Sequence, residues 1–242
     1  MNLCIDQGNS STKVGIFNQN ELIESTVYVK FDKNELSDLL VKFPVQSCII
    51  SSVVSNNELL VKELNSKIHR LIELTHKTEI PVENKYSTPE TLGKDRLAAI
   101  VGAAYLKPGS DILVIDAGTA ITYDFIDSNR NFLGGNIAPG IDLRLRSLHE
   151  FTQKLPIVEP KTESPFLGDS TESAILSGAL YGIVFEIDGY IDALKIKYPQ
   201  LSTFLTGGST FYFDTKLKNA IFAERNLVLI GLNRILLYNV QK

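Results

Sequence analysis

Residues 2–18, NLCIDQGNSSTKVGIFN, and residues 112–128, ILVIDAGTAITYDFIDS, repeat one pattern at a constant offset of 110 positions. Asp6 falls on Asp116, Gly8 on Gly118, Asn9 on Thr119 and Ser10 on Ala120. Each copy reads as an apolar strand that ends on an acid, a tight turn of small residues, and a second strand. A looser third pair follows: SCIISSVVS at 47–55 and TFLTGGST at 203–210 are both short apolar strands entering a small-residue turn, and both are expected to lead into a helix. A repeat of this kind sets the architecture before any other feature. It predicts an α/β chain of two halves, 1–110 and 111–242, facing each other across a cleft. Ligands of α/β sheets bind beyond the carboxyl ends of strands, so two carboxylates are expected to converge on that cleft.

Apolar spacing fills in the rest. Residues 2–7, 12–18 and 22–29 predict a three-stranded meander, 33–42 a polar helix, 47–52 a strand, 56–68 a helix and 70–75 a strand. The stretch PVENKYSTPETLGK, 81–94, reads as loop because of its two prolines and many turn formers. Leu97, Ile100, Val101 and Ala104 then predict a helix over 95–106. The second half reads as strands at 112–116, 120–127 and 131–138, a break at Pro139-Gly140, and a helix over 141–151. The longest helix is expected from Thr171 to Lys197, with a closing helix over 225–239. The apolar stripe of the long helix, with Ile183, Ile187 and Ile191, is wide enough for two surfaces. Gly178 and Gly182 lie four apart on one face of it. Intramolecular packing and a subunit interface both fit that face.

Bulk properties exclude several classes. With 242 residues the chain makes one large domain or two of about 100–150 residues. A net charge of −4 and a pI near 5.5 argue against nucleic acid as the main partner, since phosphate binding leaves a basic footprint. No apolar stretch is expected to approach the ~20 residues of a membrane span, and the first residues lack a basic region followed by a long apolar core. Cys4 and Cys48 sit in apolar runs with no CxxC pairing and read as buried, reduced thiols of a cytoplasmic protein. His69, His76 and His149 are scattered, with no HExxH and no Cys/His cluster, so no zinc site is expected.

The acid-bearing turns carry the chemistry. A glycine just past a strand lets backbone approach a ligand closely, and successive turn amides form an anion-binding nest. Asn9, Ser10, Ser11 and Thr12 add short donors, and Lys13 adds positive charge within reach of a phosphate. Asp6 alone repels phosphate, but Mg²⁺ binds through one or two carboxylates, waters and substrate phosphates. Acid plus nest therefore points to a nucleotide triphosphate with Mg²⁺; a plain Asx turn in a hairpin is the simpler alternative. There is no GxxxxGK[ST], no GxGxxG and no protein-kinase motif set. In LGKDRLAAIVGAAY, 92–105, Gly93 ends a loop and Asp95-Arg96 open a helix, whose free amides favour anions. Asp95 reads either as a helix cap or as the base for a hydroxyl acceptor beside a phosphate site. Arg96, on the simpler reading, is a surface charge.

DQGNSSTK (6–13), YSTPETLGKDRLAA (86–99), DAGTAITYD (116–124), GGNIAPG (134–140) and TGG (206–208) together resemble type III pantothenate kinase, in order and over nearly the whole chain. That family belongs to the superfamily of acetate and sugar kinases, heat-shock chaperone ATPases and actin. The resemblance implies duplicated ribonuclease H-like, actin-like ATPase halves around a central cleft. It also implies transfer of the ATP γ-phosphate to the primary hydroxyl of pantothenate, opening coenzyme A synthesis. On that resemblance Asp6 organises Mg²⁺–ATP; Gly8, Asn9, Ser10, Ser11, Thr12 and Lys13 line the phosphates; and Thr119 is a further ATP contact. Asp95 matches the general base. Tyr86, Gly93, Lys94, Asp95, Arg96 and Thr171 match the pantothenate-binding set. Asp116 matches the ligand of a monovalent cation, potassium or ammonium. A homodimer is implied as well. Gln7 departs from the family, where many relatives carry an aliphatic residue; it either changes packing or adds a polar contact near ATP.

Two rival functions keep the same scaffold. A sister sugar or carboxylate kinase, or a phosphatase, would retain both Asp-Gly turns but should lack GKDR. A non-enzymatic regulator, like family members described as Bvg accessory factors, would be favoured by loss of Asp6 or Asp95, and both are present.

Overall fold

The computed structural model describes residues 1–8, 11–54 and 58–240. Its elements run β1 (Asn2–Gln7), β2 (Thr12–Asn18), β3 (Glu21–Tyr28), α1 (Lys33–Lys42), β4 (Ser47–Ser52), α2 (Glu58–Lys67), β5 (Arg70–Glu73), β6 (Glu83–Asn84) and α3 (Lys94–Leu106). Then follow β7 (Ile112–Ala117), β8 (Ala120–Ile126), β9 (Asn131–Pro139), α4 (Ile141–Glu150), α5 (Thr171–Lys197), β10 (Ser202–Thr206), β11 (Phe222–Ala223) and α6 (Leu227–Val240). Two compact units result. The first holds Met1–Pro108, Arg130–Phe132 and Asn226–Lys242, and the second holds Gly109–Asn129 and Leu133–Arg225.

The first unit is a sheet of order β3-β2-β1-β4-β5. β1, β2 and β3 form the expected antiparallel meander, and β4 and β5 run parallel to β1 on its other side. Every residue of β4, SCIISS, is buried, as a parallel strand covered on both faces requires. β3 alternates exposed and half-buried residues and forms the edge. Leu3, Ile5, Ile16, Leu36, Ile50 and Leu64 pack into one core cluster of this unit. Asp32 starts α1 with a reciprocal capping box to Glu35. α6 packs with this unit, although it follows the second in sequence, and lies against β1, β4 and α3. Its Asn233 is buried; the side-chain oxygen accepts from Asn2 Nδ2 at 2.9 Å and its Nδ2 donates to the Gln19 carbonyl at 2.7 Å.

The second unit repeats the first. In the six-stranded sheet of order β11-β10-β7-β8-β9-β6, the first five strands repeat that arrangement, with β8 antiparallel to β7 and β10 and β11 parallel to it. α5 supplies the centre of its core, with Leu180, Ile183, Ile187 and Ile191 fully buried. By length and composition alone α5 is apolar enough to cross a membrane, which corrects the expectation that no stretch approaches a span; 56% of its most apolar window is buried inside the protein.

Short elements depart from expectation. The predicted loop 81–94 contains β6, which pairs with Asn131 and Phe132, and a 3-10 turn at Pro89–Thr91. TFLTGGST leads into a 3-10 turn at Thr210–Tyr212 and then β11, not into a helix.

α3 and α6 cross where neither needs a side chain. A Cβ on Gly231 would collide with the Ala98 carbonyl oxygen and stand 3.0 Å from the Gly102 nitrogen. Both neighbours are backbone and cannot rotate away. Gly231→Ala is therefore expected to lose about 1–3 kcal/mol of stability in urea unfolding. A loss below about 0.5 kcal/mol, the range of an ordinary surface change, would show that the helices are free to separate.

Candidate active site

The first copy of the repeated turn is a closed loop. Asp6 lies one residue before the end of β1, in register with Lys13 on β2 and Ser51 on β4. Directly opposed residues of neighbouring strands share a face, so ammonium, carboxylate and hydroxyl line up across the sheet. Gly8 donates its amide to the Ser11 carbonyl at 3.0 Å. That corrects the expected nest in one respect: the Gly8 amide is spent inside the turn. Asn9 and Ser10 lie outside the described residues. Ser11 is half-buried and Thr12 is buried at the start of β2. Gly8, Ser11 and Thr12 border a cavity of about 840 Å³ in this unit, which Lys30, Lys33 and Lys62 also line.

Hydrogen bonds tie this turn to the start of α3. Gln7 accepts from the Ser52 hydroxyl at 2.9 Å, a polar contact with the end of β4. Lys94 Nζ donates to the Ser52 carbonyl at 3.1 Å. Gly93 caps α3; a Cβ there would stand 2.5 Å from Asp95 Oδ1, so glycine leaves room for that carboxylate. Asp95 is not the cap: it sits in the first turn, with Oδ1 accepting the Arg96 amide at 2.8 Å. Arg96 is not a surface charge either. It is only 6% exposed, and its guanidinium lies over the Tyr86 ring at 5.5 Å. Tyr86 in turn stacks on Phe132, 6.0 Å between centroids and 5° between planes. Asp6, Lys13, Tyr86, Gly93, Lys94, Asp95 and Arg96 thus all belong to the first unit.

The second turn is one residue shorter, and its Gly118 amide donates to the Ala120 carbonyl at 3.1 Å. Thr119 is exposed at its tip, and its carbonyl accepts from Gly140 at 3.0 Å. Arg144 braces the 139–140 break, donating to the Pro139 carbonyl at 2.9 Å and pairing with Glu186 at 2.6 Å. Tyr123 donates to the same Glu186 at 2.8 Å. Burial, and then the Glu186 bond, push the Tyr123 phenol far above the usual tyrosine range. Asp116 lies near the end of β7, in register with Thr122 on β8 and Thr206 on β10. Thr171 is exposed in the first turn of α5, after the Ser170 cap.

Sequence reasoning passed over three hydroxyls. Ser51, Thr122 and Thr206 each bury an oxygen that has no hydrogen-bond partner. Such a group costs about 1–3 kcal/mol. Their signal was present only as register, since each stands opposite one of the repeated acids. Among the described residues no cluster of three or more His, Cys, Asp or Glu could hold a metal. Cys4 and Cys48 are free, as expected, and burial pushes both thiols up.

The sequence model of type III pantothenate kinases matches residues 2–193. A type III pantothenate kinase of Phocaeicola vulgatus is 51% identical over 239 residues, covering 99% of each chain. One from Bacteroides fragilis is 50% identical over 99% of this chain and 98% of its own. Among solved structures, a protein from Campylobacter jejuni described as a Baf family transcriptional activator superposes with a TM-score of 0.65 at 24% identity, covering 99% of this chain and 100% of its own. A protein from Sinorhizobium meliloti described as a 2-dehydro-3-deoxygalactonokinase superposes with a TM-score of 0.60 at 14% identity, over 99% of each. These two likenesses bear on the fold, which is that of the sugar kinases and actin-like ATPases.

Gly207, in the TGG turn, has φ +104°. A Cβ there would stand 2.5 Å from Asp116 Oδ1 and against the Ala117 carbonyl. Gly207→Ala is expected to cost about 1–3 kcal/mol in chemical denaturation. Wild-type stability in that variant would mean the turn does not close down on Asp116.

Proposed function

The chain belongs to the type III pantothenate kinase family, and on that premise we propose that it transfers the ATP γ-phosphate to the primary hydroxyl of pantothenate, the first step of coenzyme A biosynthesis. The observation that carries this reading is the tie between GKDR and the first acid-bearing strand. Lys94 holds the Ser52 carbonyl, Ser52 holds Gln7, and Gln7 follows Asp6. A carboxylate at a helix start is thereby anchored beside a phosphate-type turn, which is what transfer to an alcohol needs.

The residues divide the work as follows. Mg²⁺, bound with ATP, would offset phosphate charge near Asp6. Lys13 and the turn 8–13, including Asn9, Ser10, Ser11 and Thr12, hold the phosphates; Thr119 makes a further ATP contact. Asp95 aligns the pantothenate hydroxyl and accepts its proton. Because Oδ1 is occupied by the Arg96 amide, Oδ2 is the oxygen assigned to that proton. Arg96, held against Tyr86, suits the pantothenate carboxylate, with Lys94, Gly93 and Thr171 completing the substrate set. Asp116 takes a monovalent cation, potassium or ammonium. Its neighbours fit such an ion, being neutral oxygens that can replace a hydration shell. A cytoplasmic location accords with two buried, unpaired thiols.

We also read the chain as a homodimer through α5. Phe166, Leu167 and Phe185 stand 61%, 79% and 59% exposed around Gly178 and Gly182, lining a groove of about 500 Å³. Apolar surface rimming close-approach glycines suits a second copy of the same helix.

Three measurements test this. ADP release from Mg-ATP and potassium should depend on pantothenate, with phosphopantothenate identified by mass; nucleotide binding without such turnover would favour the regulator. Asp95→Asn should lower kcat about 10²–10⁴-fold while Mg-ATP binding is kept, and near-normal turnover would remove Asp95 as base. Nothing outside its own helix backbone lies within 4 Å of a Cβ on Gly178, so Gly178→Gln should keep the wild-type far-ultraviolet circular dichroism and shift sedimentation from dimer to monomer. A dimer that survives this change would place the interface elsewhere.

A further inference from the structure

The two units carry the same unexplained feature. Among the described residues, four buried side-chain oxygens lack a hydrogen-bond partner: those of Ser51, Thr122, Thr203 and Thr206. Ser51 is 1% exposed and Thr206 0%. Ser51 stands in parallel register with Asp6, and Thr206 in parallel register with Asp116. The strand pairs are equivalent, since β4 flanks β1 as β10 flanks β7 in sheets of matching order. Thr122 completes the second site from the antiparallel side. Neighbouring strands lie about 4.8 Å apart, which places each hydroxyl on the face of its acid, close enough to share one ion or one ion-bound water.

We propose that Ser51 and Thr206 are equivalent ion-facing hydroxyls. Ser51 takes a water of the Mg²⁺–ATP held at Asp6, and Thr206, with Thr122, completes the oxygen shell of the monovalent cation at Asp116. This rests on the nucleotide and cation reading above and assigns new residues to it. A hydroxyl can donate to an ion-bound water's neighbours or accept as a neutral oxygen ligand. A buried hydroxyl left unpaired by the protein is already aimed where a ligand can satisfy it. The parallel neighbour is the natural place for such a group, because the antiparallel neighbours differ between units, being Lys13 in one and Thr122 in the other. Thr203 supplies the contrast. Its oxygen is also unpartnered, but it stands opposite Leu113 and lies an odd number of residues from Thr206, on the other face of β10.

The test uses the full chain and two readouts besides turnover. Thermal unfolding is followed in potassium and in sodium at equal ionic strength. ATP binding is measured calorimetrically with Mg²⁺ and with chelator. The wild type should be stabilised by potassium over sodium and should bind Mg-ATP more tightly than metal-free ATP. Thr206→Val should need about tenfold more potassium for the same stabilisation, the usual effect of losing a supporting ligand. Thr206→Ser should restore the response, and Thr203→Val should behave as wild type. Ser51→Ala should weaken Mg-ATP about tenfold and leave metal-free ATP unchanged. Potassium and Mg²⁺ responses that survive Thr206→Val and Ser51→Ala would overturn the assignment of these hydroxyls and leave the ion sites standing. A wild type with neither response would overturn the ion reading at Asp6 and Asp116, and this assignment with it.

Discussion

A carboxylate at the end of a central β-strand is the constraint on which the rest depends. Strand ends bury backbone and apolar side chains together, and a charge placed there costs free energy unless an opposite charge or hydrogen-bond donors answer it. Both β1 and β7 place a half-buried acid there. Just past each acid a glycine amide is spent on a local carbonyl, Gly8 on Ser11 and Gly118 on Ala120. Everything proposed for nucleotide or ion handling in each unit lies within the turn past that acid, on the acid-bearing strand or on that strand's two neighbours.

Rigidity behind the first acid comes from apolar packing elsewhere. α6 lies along β1 and β4, and its contact with α3 is so close that backbone meets backbone at Gly231 and Ala98. α3 is thereby fixed against the sheet that carries Asp6. The Lys94–Ser52 and Ser52–Gln7 bonds need only set the last few ångströms. Preorganisation of this kind is where phosphoryl transfer draws its rate, because there is little covalent chemistry for a protein to perform. The Arg96–Tyr86–Phe132 stack holds a buried guanidinium in the same preorganised way. Its third member enters from a segment distant in sequence, Arg130–Phe132.

The repeated pattern made the main strands of both halves legible, because apolar runs with turns at fixed offsets report strands directly. α5 and α3 were legible for the parallel reason, a helical period held over many residues. What escaped was non-local or too short to have a period. β6 and β11 are two residues each, and pairing alone creates them. Arg96 in a first helical turn looks like a solvated charge until a loop residue, Tyr86, covers it. The hydroxyls of Ser51, Thr122 and Thr206 are unremarkable in sequence; only cross-strand register places them beside an acid. The elements that carry the candidate residues were therefore readable, while the contacts those residues make were not.

The two copies of the motif differ where their electrostatics must differ. Asp6 has an ammonium, Lys13, directly across the antiparallel pair. At the equivalent place Asp116 has Thr122, and its parallel neighbour is Thr206, so no basic side chain stands in strand register with it. On the proposed reading, the acid that faces a lysine is the one that orders a divalent ion through water. The acid whose strand neighbours are neutral hydroxyls, under a turn whose Gly207 leaves no room for a side chain, is the one proposed to take a monovalent cation. Neutral oxygens around a single negative charge match a singly charged ion better than a divalent one, which usually takes more carboxylate or phosphate charge. The difference is one of pairing: the first turn is one residue longer than the second, so Asp6 faces Lys13 and not Thr12, the residue 110 positions before Thr122.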